Sequence, residues 1–441
     1  MHRSDKMSLQ SYKEAIDWLY EVRRFGSKPG LKIIRYLLNK IGNPQNSFKS
    51  IHVTGTNGKG STTAMTSSIL IAAGYKIGMF TSPHLINFTE RIQINNREIT
   101  KEEVMKNISE LKPIIAEMEK DLELRHPTFF EIITAIAFKH FSEMKVDFAV
   151  LEVGMGGELD ATNVVKALVS VVTNVSLEHT AVLGDTVQEI AEKKGGIIKK
   201  DGVLITATED ESVYEVLSKM CQDRASLIFR VGRDITVEPV KTTNKGQLFN
   251  LKGFNGEYRN LTIPLMGKHQ LTNAATATAA VEALSFHGIN TTEQDIQTGL
   301  QNIRWPGRLE IIARTPLVVL DGAKDIAASE AATKAMSDFT YDKLTLVVSI
   351  SSDKKVTEMI ENFSKVADRF IVTEHSVQMR AAKTARIAQE AEKHGIPYEA
   401  IPDVKDAVKY AIETSNPSDM VLVIGSVFLV GEAREIWYPP N

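Results

Sequence analysis

The sequence predicts an α/β fold: a large N-terminal domain on a mostly parallel sheet with antiparallel hairpins appended, and a smaller C-terminal α/β domain. Three observations predict it. Short β-branched runs alternate with amphipathic helical stretches along most of the chain, as in parallel sheets covered on both faces. A Trp305-Pro306-Gly307 triplet, which cannot continue a helix, separates two such series. A length of 441 residues exceeds what one ordinary core accommodates.

In chain order, strands are expected at Ser50 to Thr54, Lys76 to Thr81, Val146 to Gly154, Leu168 to Val175 and Val203 to Ala207. Helices are expected at Ser61 to Ala73, Lys101 to Lys120 and Thr128 to Met144. Thr128 and Glu131 have capping-box spacing, which assigns Glu131 to a helix start rather than to chemistry. From Ile228 to Leu265 the residues alternate, with turn signals at Thr243-Asn244-Lys245-Gly246 and Asn255-Gly256, so antiparallel hairpins are expected there. The second series has strands at Pro316 to Leu320, Leu344 to Ser349, Arg369 to Thr373 and Met420 to Gly425. The boundary is placed at 304/305, giving domains 1–304 and 305–441 with a cleft between them.

The charge is nearly balanced, at −3, which gives no electrostatic footprint for nucleic acid. The single cysteine, Cys221, leaves no internal disulfide and no multi-cysteine metal site. The N-terminal MHRSDKMSLQSYKEAIDW is polar where a signal peptide needs an apolar core, and no segment approaches the ~18 apolar residues of a membrane span. A cytoplasmic chain with no membrane partner is expected.

The strand ending at Thr54 runs into Gly55-Thr56-Asn57-Gly58-Lys59-Gly60-Ser61-Thr62, which opens a helix. Glycines let backbone N–H groups turn inward, and a helix N-terminus favours phosphate. Lys59 suits the β- and γ-phosphates, and the Ser61 or Thr62 hydroxyl suits Mg²⁺. The spacing is shorter than the usual four residues before Gly-Lys. Glu152 ends a buried-strand pattern, where ligands bind in open α/β sheets and a carboxylate can hold Mg²⁺. His179 follows the next strand at the same edge. A regulatory GTPase would carry Asn-Lys-x-Asp, but Asn39-Lys40 and Asn244-Lys245 lack the aspartate.

Several motifs in order resemble the dihydrofolate synthase / folylpolyglutamate synthase branch of the Mur ligase superfamily: Gly55 to Ser61, Ser82-Pro-His-Leu85, Leu151 to Gly157, Leu159-Asp-Ala-Thr-Asn163, Gly267 to Asn273, Pro306-Gly-Arg308, Asp321-Gly-Ala323 and Gly425 to Glu432. The resemblance implies a phosphate-loop domain followed by a Rossmann-like one. It implies a monomer that uses ATP to phosphorylate a carboxylate, of dihydropteroate or a reduced folate, and then joins L-glutamate to it. Ser61, Ser82, Glu152 and His179 would hold two magnesium ions. Lys59 and Arg308 would hold the phosphates, Asn273 the adenine and Asp321 the ribose, with Lys324 also at the nucleotide. Lys194 would carry a CO₂-derived carbamate. Pro83, His84, Leu159, Asp160 and Ala161 would meet the acceptor. The chain departs from the pattern at Glu158 (arginine is usual), Glu178 (aspartate), Lys193 (glutamate), Lys268 and Gln270 (arginine and asparagine), and Lys324-Asp325 (His-Asn). A ligase for another carboxylate or amino acid, or a nucleotide-binding relative without catalysis, remains an alternative reading.

Overall fold

A computed structural model describes residues 11–22, 29–118, 120–121, 124–377 and 381–439. Residues 1–10, which carry part of the N-terminal expectation, lie outside the described residues, as does Glu119 within the expected Lys101 to Lys120 helix.

The first part of the chain forms an eight-stranded sheet from β1 (Lys49–Thr54), β2 (Ile77–Phe80), β3 (Ile92–Ile94), β4 (Arg97–Glu98), β5 (Phe148–Glu152), β6 (Val169–Val172), β7 (Val203–Thr206) and β8 (Leu227–Arg230). Their order is β4-β3-β2-β5-β1-β6-β7-β8. Strands β2, β5, β1, β6, β7 and β8 run parallel, and β3 and β4 close one edge antiparallel. The parallel strands are apolar because helices cover both faces. One face packs on Lys59–Ala72, Lys268–Glu282 and Glu293–Gln301, the other on Tyr12–Glu21, Lys32–Lys40, Lys101–Met118 and Phe129–Glu143. The last of these starts at the Thr128/Glu131 capping box, as expected.

The hairpins are β9 (Thr236–Thr243), β10 (Gly246–Lys252) and β11 (Glu257–Ile263), joined at the two expected turns. They form a separate three-stranded sheet and share the apolar core on one face of the large one. The start of the alternating segment differs from expectation, since β8 pairs parallel with β7. Alternation marks a strand with one wet face, and a parallel edge strand has one too.

The second series forms a six-stranded sheet, β12-β13-β17-β14-β15-β16. Its strands are β12 (Glu310–Arg314), β13 (Leu317–Asp321), β14 (Leu344–Val348), β15 (Arg369–Val372), β16 (Tyr398–Ala400) and β17 (Met420–Ile424). All pairs are parallel except β12 with β13. The sequence reading missed β12, a half-buried edge strand with an irregular register, and β16, which is three residues long. Among the described residues no helix is long and apolar enough to cross a membrane.

Register places the site. Val53 lies beside Glu152, Thr54 beside Val172, and Phe80 beside Leu151. The C-terminal ends of β1, β2, β5 and β6 therefore form one rim. The C-terminal end of β13, at Asp321 to Lys324, faces that rim across a cavity of about 730 Å³.

Candidate active site

The loop after β1 is pinned to the loop after β6. Thr56 N donates to Asn174 O and Asn57 N to Asn174 Oδ1, both at 2.9 Å, and Thr173 Oγ1 donates to Asn57 O at 2.6 Å. Gly55 and Gly58 adopt φ of +146° and +81°, which side chains rarely tolerate, and a Cβ on Gly55 would overlap the Thr173 hydroxyl. Intrahelical bonding begins with Thr62 N donating to Gly58 O at 2.9 Å. The preceding amides are the free donors of a helix start, beside the positive end of its dipole. Ser61 lines the cavity; Thr62 does not, and its buried Oγ1 has no hydrogen-bond partner. Of the two hydroxyls the sequence offered for Mg²⁺, Ser61 alone lines the cavity.

Two lysines on this wall, the half-buried Lys59 and the buried Lys194, are bonded to the loop itself. Lys59 Nζ donates to Gly55 O and Thr56 O at 2.9 Å each, so it lies folded back on the loop that a phosphate would occupy. Burial, reinforced by the charge of Lys324, lowers its pKa. Lys194 Nζ donates to Gly55 O at 2.8 Å. Burial, then the charge of Lys59, pulls its pKa down to about 7 against the opposing pull of Glu178. Glu152 Oε2 accepts from Ser82 N at 2.9 Å, and burial raises its pKa despite Lys59, that N–H and Arg308.

The facing wall contributes Arg308, Asp321 and Lys324. Asp321 Oδ2 accepts from Leu309 N (2.9 Å), which holds the segment that carries Arg308, and Oδ1 accepts from Ala323 N (2.8 Å) in the loop after β13. Burial raises its pKa against the charge of Arg308. Lys324 Nζ lies 3.6 Å from Glu178 Oε1, and Asn57 Nδ2 donates to Asp325 Oδ1 at 3.2 Å. These contacts bridge the two walls. Burial opposes ionisation of Glu178, yet Lys324, Lys59, His179 and Lys194 together hold its pKa below the carboxylate norm. His179 has φ of +52° and its side chain is partly exposed; burial lowers its pKa against Glu178.

Four of the five expected acceptor residues do not line this cavity, and only Pro83 does. His84 Nδ1 accepts from Arg91 Nε at 2.8 Å. Leu159 is exposed, and Ala161 packs into the core beneath the sheet. Asp160 turns inward. It caps the 3₁₀ turn Ala161–Val164 through Thr162 N and accepts from Met155 N at 3.1 Å, because a buried carboxylate must be satisfied by nearby donors. In this arrangement it anchors the glycine loop. Glu158 and Lys193, both departures from the family pattern, meet at 3.2 Å on the surface, so the reversed charge at 158 faces a reversed partner.

The sequence reading did not assign Glu178, Asn174, His269 or Gln270 to the site, and all four line the cavity. Glu178 precedes His179 and Asn174 ends β6, so adjacency to assigned residues was the available signal. Burial, then Arg308, pulls the His269 pKa down to about 4.

A hard divalent cation fits this donor set. Glu178 Oε1 is a buried acceptor without a hydrogen bond, and Ser61, Ser82 and Glu152 line the same cavity and add oxygens. Among the described residues no group of three or more His, Cys, Asp or Glu is placed to enclose a metal. An ion would therefore complete its shell with hydroxyls, phosphate oxygens and water, as magnesium does.

Residues 53–281 match the Mur ligase middle domain, and residues 307–427 the Mur ligase glutamate ligase domain. A Bacillus subtilis protein described as dihydrofolate synthase/folylpolyglutamate synthase is 32% identical, over 96% of this chain and 99% of that one. A Haloferax volcanii protein described as a probable bifunctional folylpolyglutamate synthase/dihydropteroate synthase is 37% identical over 97% of this chain, which spans only 50% of that longer protein. Folylpolyglutamate synthase of Mycobacterium tuberculosis, solved with ADP and AMPPCP, superposes with a TM-score of 0.89 at 30% identity, covering 97% and 99% of the two chains. E. coli FolC in complex with DHPP and ADP gives 0.84 at 28% identity, covering 96% and 97%.

Proposed function

The chain belongs to the dihydrofolate synthase/folylpolyglutamate synthase family of Mur ligases, and on that premise we propose that it joins L-glutamate to a pterin carboxylate at the expense of ATP. The product is dihydrofolate from dihydropteroate, a longer γ-glutamyl tail on a reduced folate, or both. The single observation that carries this reading is the buried Lys194 amine, bonded to Gly55 O of the phosphate loop and set in the same wall as Lys59 and Glu152. A simple phosphate-binding loop has no use for such a group.

Residues 1–304 act as the ATP-binding domain and residues 305–441 as the amino-acid-ligase domain of a cytoplasmic monomer. The amides of Gly58 to Ser61 and Lys59 hold the phosphates, Lys59 exchanging its loop carbonyls for phosphate oxygens. Asn273 meets the adenine. Arg308 adds positive charge from the facing wall as the γ-phosphoryl group moves, where preorganised charge is most effective. An acceptor carboxylate oxygen attacks the γ-phosphorus and ADP leaves. The amine of glutamate then attacks the acyl carbon, loses a proton, and phosphate departs. Closure of the two walls excludes water from the acyl phosphate. Ser61, Ser82, Glu152 and His179 would hold magnesium, two ions by family likeness, which neutralises phosphate charge when bound. The neutral Lys194 amine can add to CO₂ and lose a proton, giving a carbamate that adds an anionic oxygen to this wall. The acceptor reaches the cavity past Pro83.

The test is phosphate release from ATP in the presence of glutamate, with dihydropteroate or tetrahydrofolate added in turn. Stimulation by at least one is expected. No stimulation by either rejects the pterin acceptor.

A further inference from the structure

The three glycines of the phosphate loop are not there for one reason. Gly55 and Gly58 have positive φ, but Gly60 does not; it lies in the helix Lys59–Ala72, where alanine is the better helix former. What excludes a side chain at 60 is Trp305. A Cβ on Gly60 would lie 2.8 Å from Trp305 Cζ2 and 3.3 Å from Cε2. Gly60 lines the cavity and Trp305 does not, so the indole touches the loop from outside the cavity. Trp305 Nε1 is buried and donates to no acceptor among the described residues, so packing rather than a hydrogen bond holds the ring there.

The chain changes domains within a few residues of this contact. Ile303 and Trp305 pack in the core of the first domain, and Leu309 packs in the core of the second. Gly307 is already held by the second domain. Its carbonyl accepts from Gly322 N at 2.9 Å, and its N–H donates at 2.9 Å to Glu310 Oε2, which accepts from Arg434 Nε at 3.0 Å. Only Pro306 separates the two anchors, and its ring fixes φ. Arg308 follows at once on the facing wall, its charge felt by Glu152 across the cleft.

We propose that Trp305 is a positioning residue for Arg308: its indole rests on Gly60 and sets how far from the phosphate loop the arginine enters the cleft. The proposal rests on the reading that the loop holds the phosphates and that Arg308 adds charge at the γ-phosphoryl group. The contact makes the phosphate loop and the start of the hinge one packed unit. A displaced guanidinium loses much of a charge-assisted hydrogen bond, whose geometry is narrow. Gly55 and Gly58 let the backbone turn, whereas Gly60 lets the hinge approach.

The experiment measures equilibrium binding of ADP and of the non-hydrolysable triphosphate AMPPCP to the full chain with magnesium. Neither ligand needs an acceptor, so the result is independent of whether a pterin stimulates phosphate release. The AMPPCP-to-ADP affinity ratio reads the contact with the γ-phosphate, whereas general damage to the loop or the fold moves both ligands together. Gly60→Ala should lower that ratio by about tenfold, the loss of one charge-assisted contact. Trp305→Phe should lower it by less. The double variant should recover part of what Gly60→Ala loses, because phenylalanine lacks the ring atoms that the new Cβ would strike. An unchanged ratio in Gly60→Ala, or a double variant no better than Gly60→Ala, overturns the proposal. Should a variant with alanine at 60 fail to fold, Trp305→Phe decides, and an unchanged ratio there overturns it. Arg308→Ala separates the premise. If it leaves the ratio untouched, Arg308 does not meet the γ-phosphate and the proposal falls with that assignment alone. If it lowers the ratio, adding Trp305→Phe to Arg308→Ala should lower it no further, and a further loss overturns the proposal.

Discussion

The two walls of the cleft hold their charges differently. On the large-sheet side, the half-buried Lys59 and the buried Lys194 are bonded to loop carbonyls, and Glu152 is bonded to the Ser82 amide. On the facing side, Lys324 is partly exposed and meets Glu178 only at ion-pair distance, 3.6 Å. One wall is a preorganised site built at the rim of a parallel sheet. The other delivers charge to it across a gap. The difference teaches that changes on the first wall should remove chemistry, whereas changes on the second should weaken the encounter between walls.

Lys59→Ala is the severest test of that contrast. It removes the charge that would exchange its loop carbonyls for phosphate oxygens, and turnover should fall by about a thousandfold or more. Near-normal turnover would remove the loop from the mechanism. Lys194→Ala comes next, with an expected loss of about a hundredfold, together with a change in pH profile. Because the Lys194 pKa is lowered to about 7, its neutral form is lost as pH falls through that value, and the rate in bicarbonate buffer should fall with it. The alanine variant should lack this limb. Above pH 7 and up to the ordinary lysine range the unfolded chain binds the extra proton, so the contribution of Lys194 to stability rises with pH. A wild-type profile flat between pH 6 and 8 would contradict the assignment.

On the facing wall, Lys324→Ala should cost about tenfold in kcat/KM, mostly through KM for ATP. A loss as large as that of Lys59→Ala would show that the two walls are equivalent. The smallest effect belongs to the surface pair. Glu158→Ala should change stability by less than about 1 kcal/mol, since exposed ion pairs contribute little, and should leave turnover unchanged. A change in acceptor preference would place Glu158 at the site after all.

The same contrast explains what was legible in the sequence. The phosphate loop is contiguous, so its glycines, lysine and hydroxyl declare themselves in one stretch. Glu152 and His179 follow from the rule that ligands collect at the C-terminal rim of parallel strands. Asp160 shows a limit, because sequence gives a residue's place on a turn but not the direction of its side chain. Its carboxylate is occupied by Thr162 N and Met155 N. Glu178 and Lys324 belong to different sheets, and nothing in either segment announces that they meet. The Glu158–Lys193 pair shows the same blindness: each looks like a departure, and together they are a swap of charges. Strand β12 was missed because it is half-buried and irregular, while the mostly buried β13 and the fully buried β14 and β17 were plain.

The central claim is that the carboxylate is activated by phosphorylation before glutamate arrives, and transfer of an oxygen label tests it most directly. The acceptor is prepared with ¹⁸O in its carboxylate, and the phosphate released during ligation is examined by mass spectrometry. An acyl phosphate requires one labelled oxygen to leave with each phosphate. Amide product accompanied by unlabelled phosphate would contradict the account.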